Sequence, residues 1–108
     1  MDFNEYEVLA MRTANPSMDD SDCLIMGGLG VSGEAGEISD MIKKVTFHGH
    51  SLDEDELIKE IGDVLWYLAL LSKTAHTTLE EVAKRNIKKL ENRYPNGFTF
   101  EASINRRE

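Results

Sequence analysis

The 108-residue chain has little of several things. It has one cysteine, Cys23, so no disulfide can form within the chain, and that fits a reducing, cytoplasmic setting. It has two prolines, Pro16 and Pro95, each placed where a helix would stop. Positive charge is scarce: 12 Lys and Arg stand against 20 Asp and Glu, a net charge of −8. That balance argues against nucleic acid and anionic membrane as partners, because both reward positive charge. A small anionic substrate stays compatible if metal ions neutralise it locally. The longest apolar run, Val64 to Leu71, is far too short to span a bilayer, and the acidic start MDFNEYEVLA does not read as a signal peptide. Nothing alternates with period two for long enough to make a strand.

What is present is helical. Apolar residues make up 41% of the chain, enough for a packed core, and the length suits a single domain over residues 1–108. The helical pattern predicts an all-α fold with four helices over about 3–14, 23–46, 53–75 and 78–94, followed by a tail, 95–108, of little periodicity. Asp2-x-x-Glu5, Ser51-x-x-Glu54 or Asp53, and Thr78-x-x-Glu81 read as N-terminal caps. The third pattern is apolar nearly all round between Ile61 and Leu71, which predicts burial on several sides and a bundle-like subunit that completes its core by oligomerisation.

Residues 27–37, GGLGVSGEAGE, contain G-x-G-x-x-G at Gly28, Gly30 and Gly33. That spacing can cradle a dinucleotide, but only in front of a parallel sheet, and this chain has no room for one. The glycines then fall at the start of a helix or within it. Each costs up to about 1 kcal/mol relative to alanine there, so the cluster implies that another group approaches closely.

The acids that follow are placed against the usual pattern. Glu34-Ala35-Gly36-Glu37 and Glu60-Ile61-Gly62-Asp63 each carry two acids at i, i+3, on one helix face. Val31, Glu34, Ile38, Met41 and Val45 form one stripe with Glu37 beside it. Leu57, Glu60, Val64, Tyr67 and Leu71 form the other, flanked by Asp63. Solvated acids belong on the polar face, and unpaired charge on an apolar stripe is unfavourable. A bound cation removes that cost. No histidine accompanies the acids, so the all-oxygen set suits Mg²⁺ first and Mn²⁺ second, ions that commonly bridge to substrate phosphates. His48 and His50 read as exposed loop residues.

The two acid pairs resemble the E-x-x-E … E-x-x-D signature of MazG-like nucleoside triphosphate pyrophosphohydrolases. The surrounding GLGVSGEAGEISDMIKK, ELIKEIGDVLWYLALL and NIKKLENRYPNGF are similar to that family too, over roughly residues 24–98. The resemblance implies an all-α fold, a homodimer or homotetramer, and Mg²⁺-dependent hydrolysis of a nucleoside triphosphate to the monophosphate and pyrophosphate. It implies Glu34, Glu37, Glu60 and Asp63 as metal ligands and catalytic carboxylates. Asn86, Lys89 and Arg93 match positions near the phosphates or sugar, and Tyr6 lies on the helix that helps form the base pocket. The chain departs from many relatives at Glu7, where they carry glutamine. Two other readings fit the acidic helical pattern: a phosphoribosyl-ATP pyrophosphohydrolase, and a non-catalytic helical regulator that binds nucleotide or metal.

Overall fold

A computed structural model describes residues 1–106 and is all-α: α1 (Phe3–Met11), α2 (Asp20–Phe47), α3 (Glu54–Thr74), α4 (Leu79–Arg93) and α5 (Phe100–Ile104). Each helix opens on a side chain that accepts a hydrogen bond from a backbone N–H three residues on, which satisfies one of the donors a helix start leaves unpaired. Asp2 takes Glu5 N at 2.8 Å and Thr78 Oγ1 takes Glu81 N at 3.1 Å, as predicted; of the two candidates for α3, Asp53 is the cap and not Ser51, since Asp53 takes Glu56 N at 3.1 Å.

Three boundaries differ from the sequence reading. Helix α2 begins at Asp20, not near Cys23, because Asp19 caps it at 2.8 Å and Asp20 and Asp22 lie where the helix dipole favours negative charge. Helix α1 stops at Met11. Thr13 and Ala14 continue in a tighter turn, with bonds to Ala10 and Met11, ahead of the Asn15-Pro16 step that disfavours helix. The tail is not featureless: Thr99 Oγ1 accepts Ala102 N at 3.0 Å and starts α5.

The centre of the fold is the α2–α3 hairpin. Gly49, at φ +72°, ends α2, and the His50 amide reaches back to the Lys44 carbonyl at 3.2 Å. The helices then run antiparallel, with Gly27 against Leu71, Gly30 against Tyr67, and Glu34 among Glu60 and Asp63. Two glycines explain the close approach. A Cβ at Gly27 would stand 2.7 Å from Leu71 Cδ2, and one at Gly30 would stand 2.3 Å from the Tyr67 ring. Gly28 and Gly33 have nothing within 4 Å, so the G-x-G-x-x-G spacing serves helix packing at its middle glycine only.

Helix α1 packs against α3 and α4. The Trp66 indole Nε1 donates to the Ala10 carbonyl at 3.1 Å and to Thr13 Oγ1 at 2.8 Å, fixing α1 to α3. Helix α4 packs on α1 and α3 through its first turn, where Leu79 is buried.

The buried core is small: Ala10, Ala69, Leu70 and Leu79. Large apolar side chains lie open on every long helix, among them Val8 on α1, Ile25 and Leu29 (70% exposed) on α2, Ile61 on α3 and Ile87 on α4. The radius of gyration is 16.9 Å, whereas a compact chain of this length has about 13 Å. The accessible surface is 8053 Å², against about 6,100 Å² for a compact monomer of this size. Among the described residues, no helix is long and apolar enough to cross a membrane.

Candidate metal centre

The two acid-bearing stripes face each other across the hairpin. Antiparallel packing sets Glu34 of α2 opposite Glu60 and Asp63 of α3, and one oxygen from each of the three lies within 4.8 Å of the others. Glu34 and Glu60 are half-buried and Asp63 is exposed at the rim. Glu60 Oε2 is buried and has no hydrogen-bond partner.

Like charges this close cannot all stay ionised in the absence of a cation. The Glu60 carboxyl is pushed up to about 7, first by a hydrogen bond with Glu34 that its protonated form makes, then by burial, then by the charges of Glu34, Asp63 and Glu37. A buried oxygen without a hydrogen-bond partner, a carboxyl whose ionisation its neighbours oppose and an all-oxygen donor set together fit a hard divalent cation. Glu34, Glu60 and Asp63 would hold it.

Glu37 lies outside that group of three. It is exposed, near enough for its charge to act on Glu60 and on Lys44. Lys44 instead pairs with Asp40 at 2.9 Å, as does Lys43, and these two hydrogen bonds hold the Asp40 carboxyl down at about 2.

Tyr6 comes to the carboxylates from α1. Burial, then the charge of Asp63, raises its phenol above the ordinary value. Its ring lines a cavity of about 490 Å³ with Phe3, Leu65 and Glu80, where α1, α3 and α4 meet. Asn86 and Lys89 are exposed on α4. Arg93 is half-buried at the end of α4 and lines a separate cavity with Asn92, Asn96, Thr99 and Glu101, none of which belongs to the carboxylate group. His48 and His50 are exposed, as expected of loop residues.

One contact has no counterpart in the sequence reading. Glu7, half-buried on the inner face of α1, accepts a hydrogen bond from the backbone N–H of Leu79, the first residue of α4. The available signal was an acid one turn before Ala10 on the face that α1 buries.

The described residues are all-helical, and carboxylates from two antiparallel helices converge in a group whose chemistry fits a hard cation, which defines the class as an all-α protein with an acidic helical site. Comparison with known families narrows this. The family model for the MazG nucleotide pyrophosphohydrolase domain matches residues 28–98. The Gene 37 protein of Mycobacterium phage L5 is 34% identical, over 94% of this chain and 96% of that protein. No solved structure matches. The chain belongs to the MazG nucleotide pyrophosphohydrolase family, and its domain is that of a hydrolase acting on nucleotides.

Proposed function

We propose that this protein is a Mg²⁺-dependent nucleoside triphosphate pyrophosphohydrolase that converts an NTP or dNTP to the monophosphate and pyrophosphate in the cytoplasm, as part of nucleotide-pool housekeeping. Family membership supports the reaction class. The observation that carries the rest is the convergence of Glu34, Glu60 and Asp63 within 4.8 Å, with Glu60 Oε2 buried and unpartnered.

A divalent cation held there would supply neutralising charge for a triphosphate and Lewis-acid activation of water. The chain's own groups do the remainder. Glu34, Glu60 and Asp63 hold the cation, and Glu37 adds the fourth carboxylate from the same stretch of α2. Glu60, whose proton is held up to about pH 7 in the cation-free cluster, would offer both oxygens to a cation once ionised. A carboxylate oxygen not engaged in holding the cation accepts the proton of the attacking water. Tyr6 lies on the nucleoside side, where its ring walls the cavity between α1, α3 and α4. Asn86, Lys89 and Arg93 of α4 serve the phosphates and sugar, with Lys89 and Arg93 offsetting charge in a chain of net −8.

Residues 1–108 form one domain in this reading, and the working unit is a homodimer or homotetramer. The chain exposes about 2,000 Å² more than a compact monomer would. That excess matches one partner's share of a large obligate interface. Apolar side chains open on every long helix account for much of it.

The test is pyrophosphate release from all common NTPs and dNTPs, with and without Mg²⁺, for the wild type and for Glu34→Gln and Glu60→Gln. Each variant should lose most activity and keep its helical circular dichroism, because removing a crowded charge does not unfold the hairpin. Full activity in either variant refutes the site.

A further inference from the structure

Glu7, half-buried on α1, accepts the backbone N–H of Leu79 at the start of α4. A second contact supports the same junction, where Asn4 Nδ2 donates to Glu80 Oε2 at 3.4 Å. Trp66 fixes the other end of α1 to α3 through the Ala10 carbonyl and Thr13. Helix α1 is therefore tied at two points, to α3 by Trp66 and to α4 by Glu7, and Tyr6 sits beside the second tie. The open cavity that Tyr6 lines is also lined by Leu65 of α3 and Glu80 of α4, the two helices those ties engage.

We propose that Glu7 is a positioning residue: by accepting the Leu79 amide it joins α1 to the first turn of α4, sets the width of the α1/α3/α4 cavity, and so seats Tyr6 beside the carboxylate cluster. The inference rests on the reading above in placing Tyr6 on the substrate side. It assigns Glu7 to the α1–α4 junction next to the cavity and not to the nucleobase. What matters is an acceptor oxygen at the reach of a three-carbon side chain, not the charge.

Protein labelled with 3-fluorotyrosine tests this, with the Tyr6 resonance assigned through Tyr6→Phe. Glu7→Gln keeps an acceptor at the same reach and should keep the Tyr6 resonance and the KM. Glu7→Ala removes the acceptor, and Glu7→Asp withdraws it by one methylene while keeping the charge. Both should move the Tyr6 resonance toward that of free fluorotyrosine and raise KM by up to about tenfold, with kcat changed less than about twofold. Glu7→Asp decides the matter if Glu7→Ala fails to fold. A wild-type resonance in both the alanine and aspartate variants overturns the proposal, and so does a glutamine variant that behaves like alanine. If no nucleotide is turned over by any form, the hydrolase reading falls, while the Tyr6 resonance still decides what Glu7 does.

Discussion

Replacing Gly30 by alanine sets two effects of known size against each other. Alanine in a helix interior is favoured over glycine by about 1 kcal/mol. The new Cβ, however, would stand 2.3 Å from Tyr67 Cδ1 and Cε1 and 2.6 Å from Cγ. Carbon atoms sit best at about 3.5–4.0 Å, so the ring must retreat by more than about 1 Å. Tyr67 is poorly placed to do so. It packs edge-on against Trp66, with centroids 5.1 Å apart and planes at 85°, and Trp66 is itself hydrogen-bonded to α1. Overpacking of this kind costs about 1–3 kcal/mol. Gly33, less than one turn further along α2, has nothing within 4 Å, so Gly33→Ala retains only the gain in propensity. Propensity cancels between the two variants and leaves the overpacking cost of about 1–3 kcal/mol. At about 4–8 °C per kcal/mol for a chain of this size, Gly30→Ala should melt at least about 4 °C below Gly33→Ala. Thermal melts at one protein concentration measure this, with sedimentation alongside, because a subunit contact at Gly33 would lower its Tm for a different reason. A Gly30→Ala protein that melts with Gly33→Ala, or above it, refutes the close packing of α2 on α3.

The remaining predictions concern the carboxylates, one turn and the assembly. In metal-free protein the Glu60 carboxyl titrates at about 7 when folded and near 4.5 when unfolded, so the native state binds the extra proton between those values. Its contribution to stability is complete below about 4.5 and is lost as pH rises through about 7; Glu60→Gln should flatten that part of a melting-temperature profile. Mg²⁺ at a hundredfold excess over its dissociation constant should stabilise the fold by about 2.7 kcal/mol per ion near neutral pH and less in acid, where protons compete for the same oxygens. An unchanged melt in millimolar Mg²⁺ at neutral pH, both alone and with a non-hydrolysable nucleotide, would count against the site. His76 holds φ +60° in the turn between α3 and α4, and His76→Gly should raise stability by about 1 kcal/mol in a denaturant titration; no gain would show that the turn carries no strain. Sedimentation at micromolar concentration should find a dimer or tetramer, and a stable monomer would leave the open apolar side chains of α1, α2 and α4 unexplained.

Much of this molecule is written in local pattern. A cap needs a Ser, Thr, Asp or Asn oxygen three residues before the amide it accepts, so Asp2 and Thr78 are legible directly, Asp53 competes with Ser51, and Asp19 and Thr99 obey the same rule inside stretches crowded with other turn residues. Helical spacing alone puts Glu34 and Glu60 on apolar stripes, and an acid on an apolar stripe announces a compensating partner whatever the fold around it. The family follows from the same stretch of text.

What spacing cannot convey is which atoms meet once two helices are packed. A stripe covers a broad arc, and the axial offset of α2 on α3, set by the contacts of Gly27 with Leu71 and Gly30 with Tyr67, selects Glu34, Glu60 and Asp63 for the inner group and leaves Glu37 outside it. The same offset assigns the glycines: two admit α3 side chains and others face open space, although all look alike in sequence. Glu7 meeting the Leu79 amide joins residues 72 positions apart, and no periodicity within α1 or α4 specifies that distance. Local hydrogen bonding and hydrophobic period were determined by the sequence alone, because they act within one turn of helix. The membership of the carboxylate group and the seat of Tyr6 were decided by tertiary packing, because they depend on where one helix stops against another.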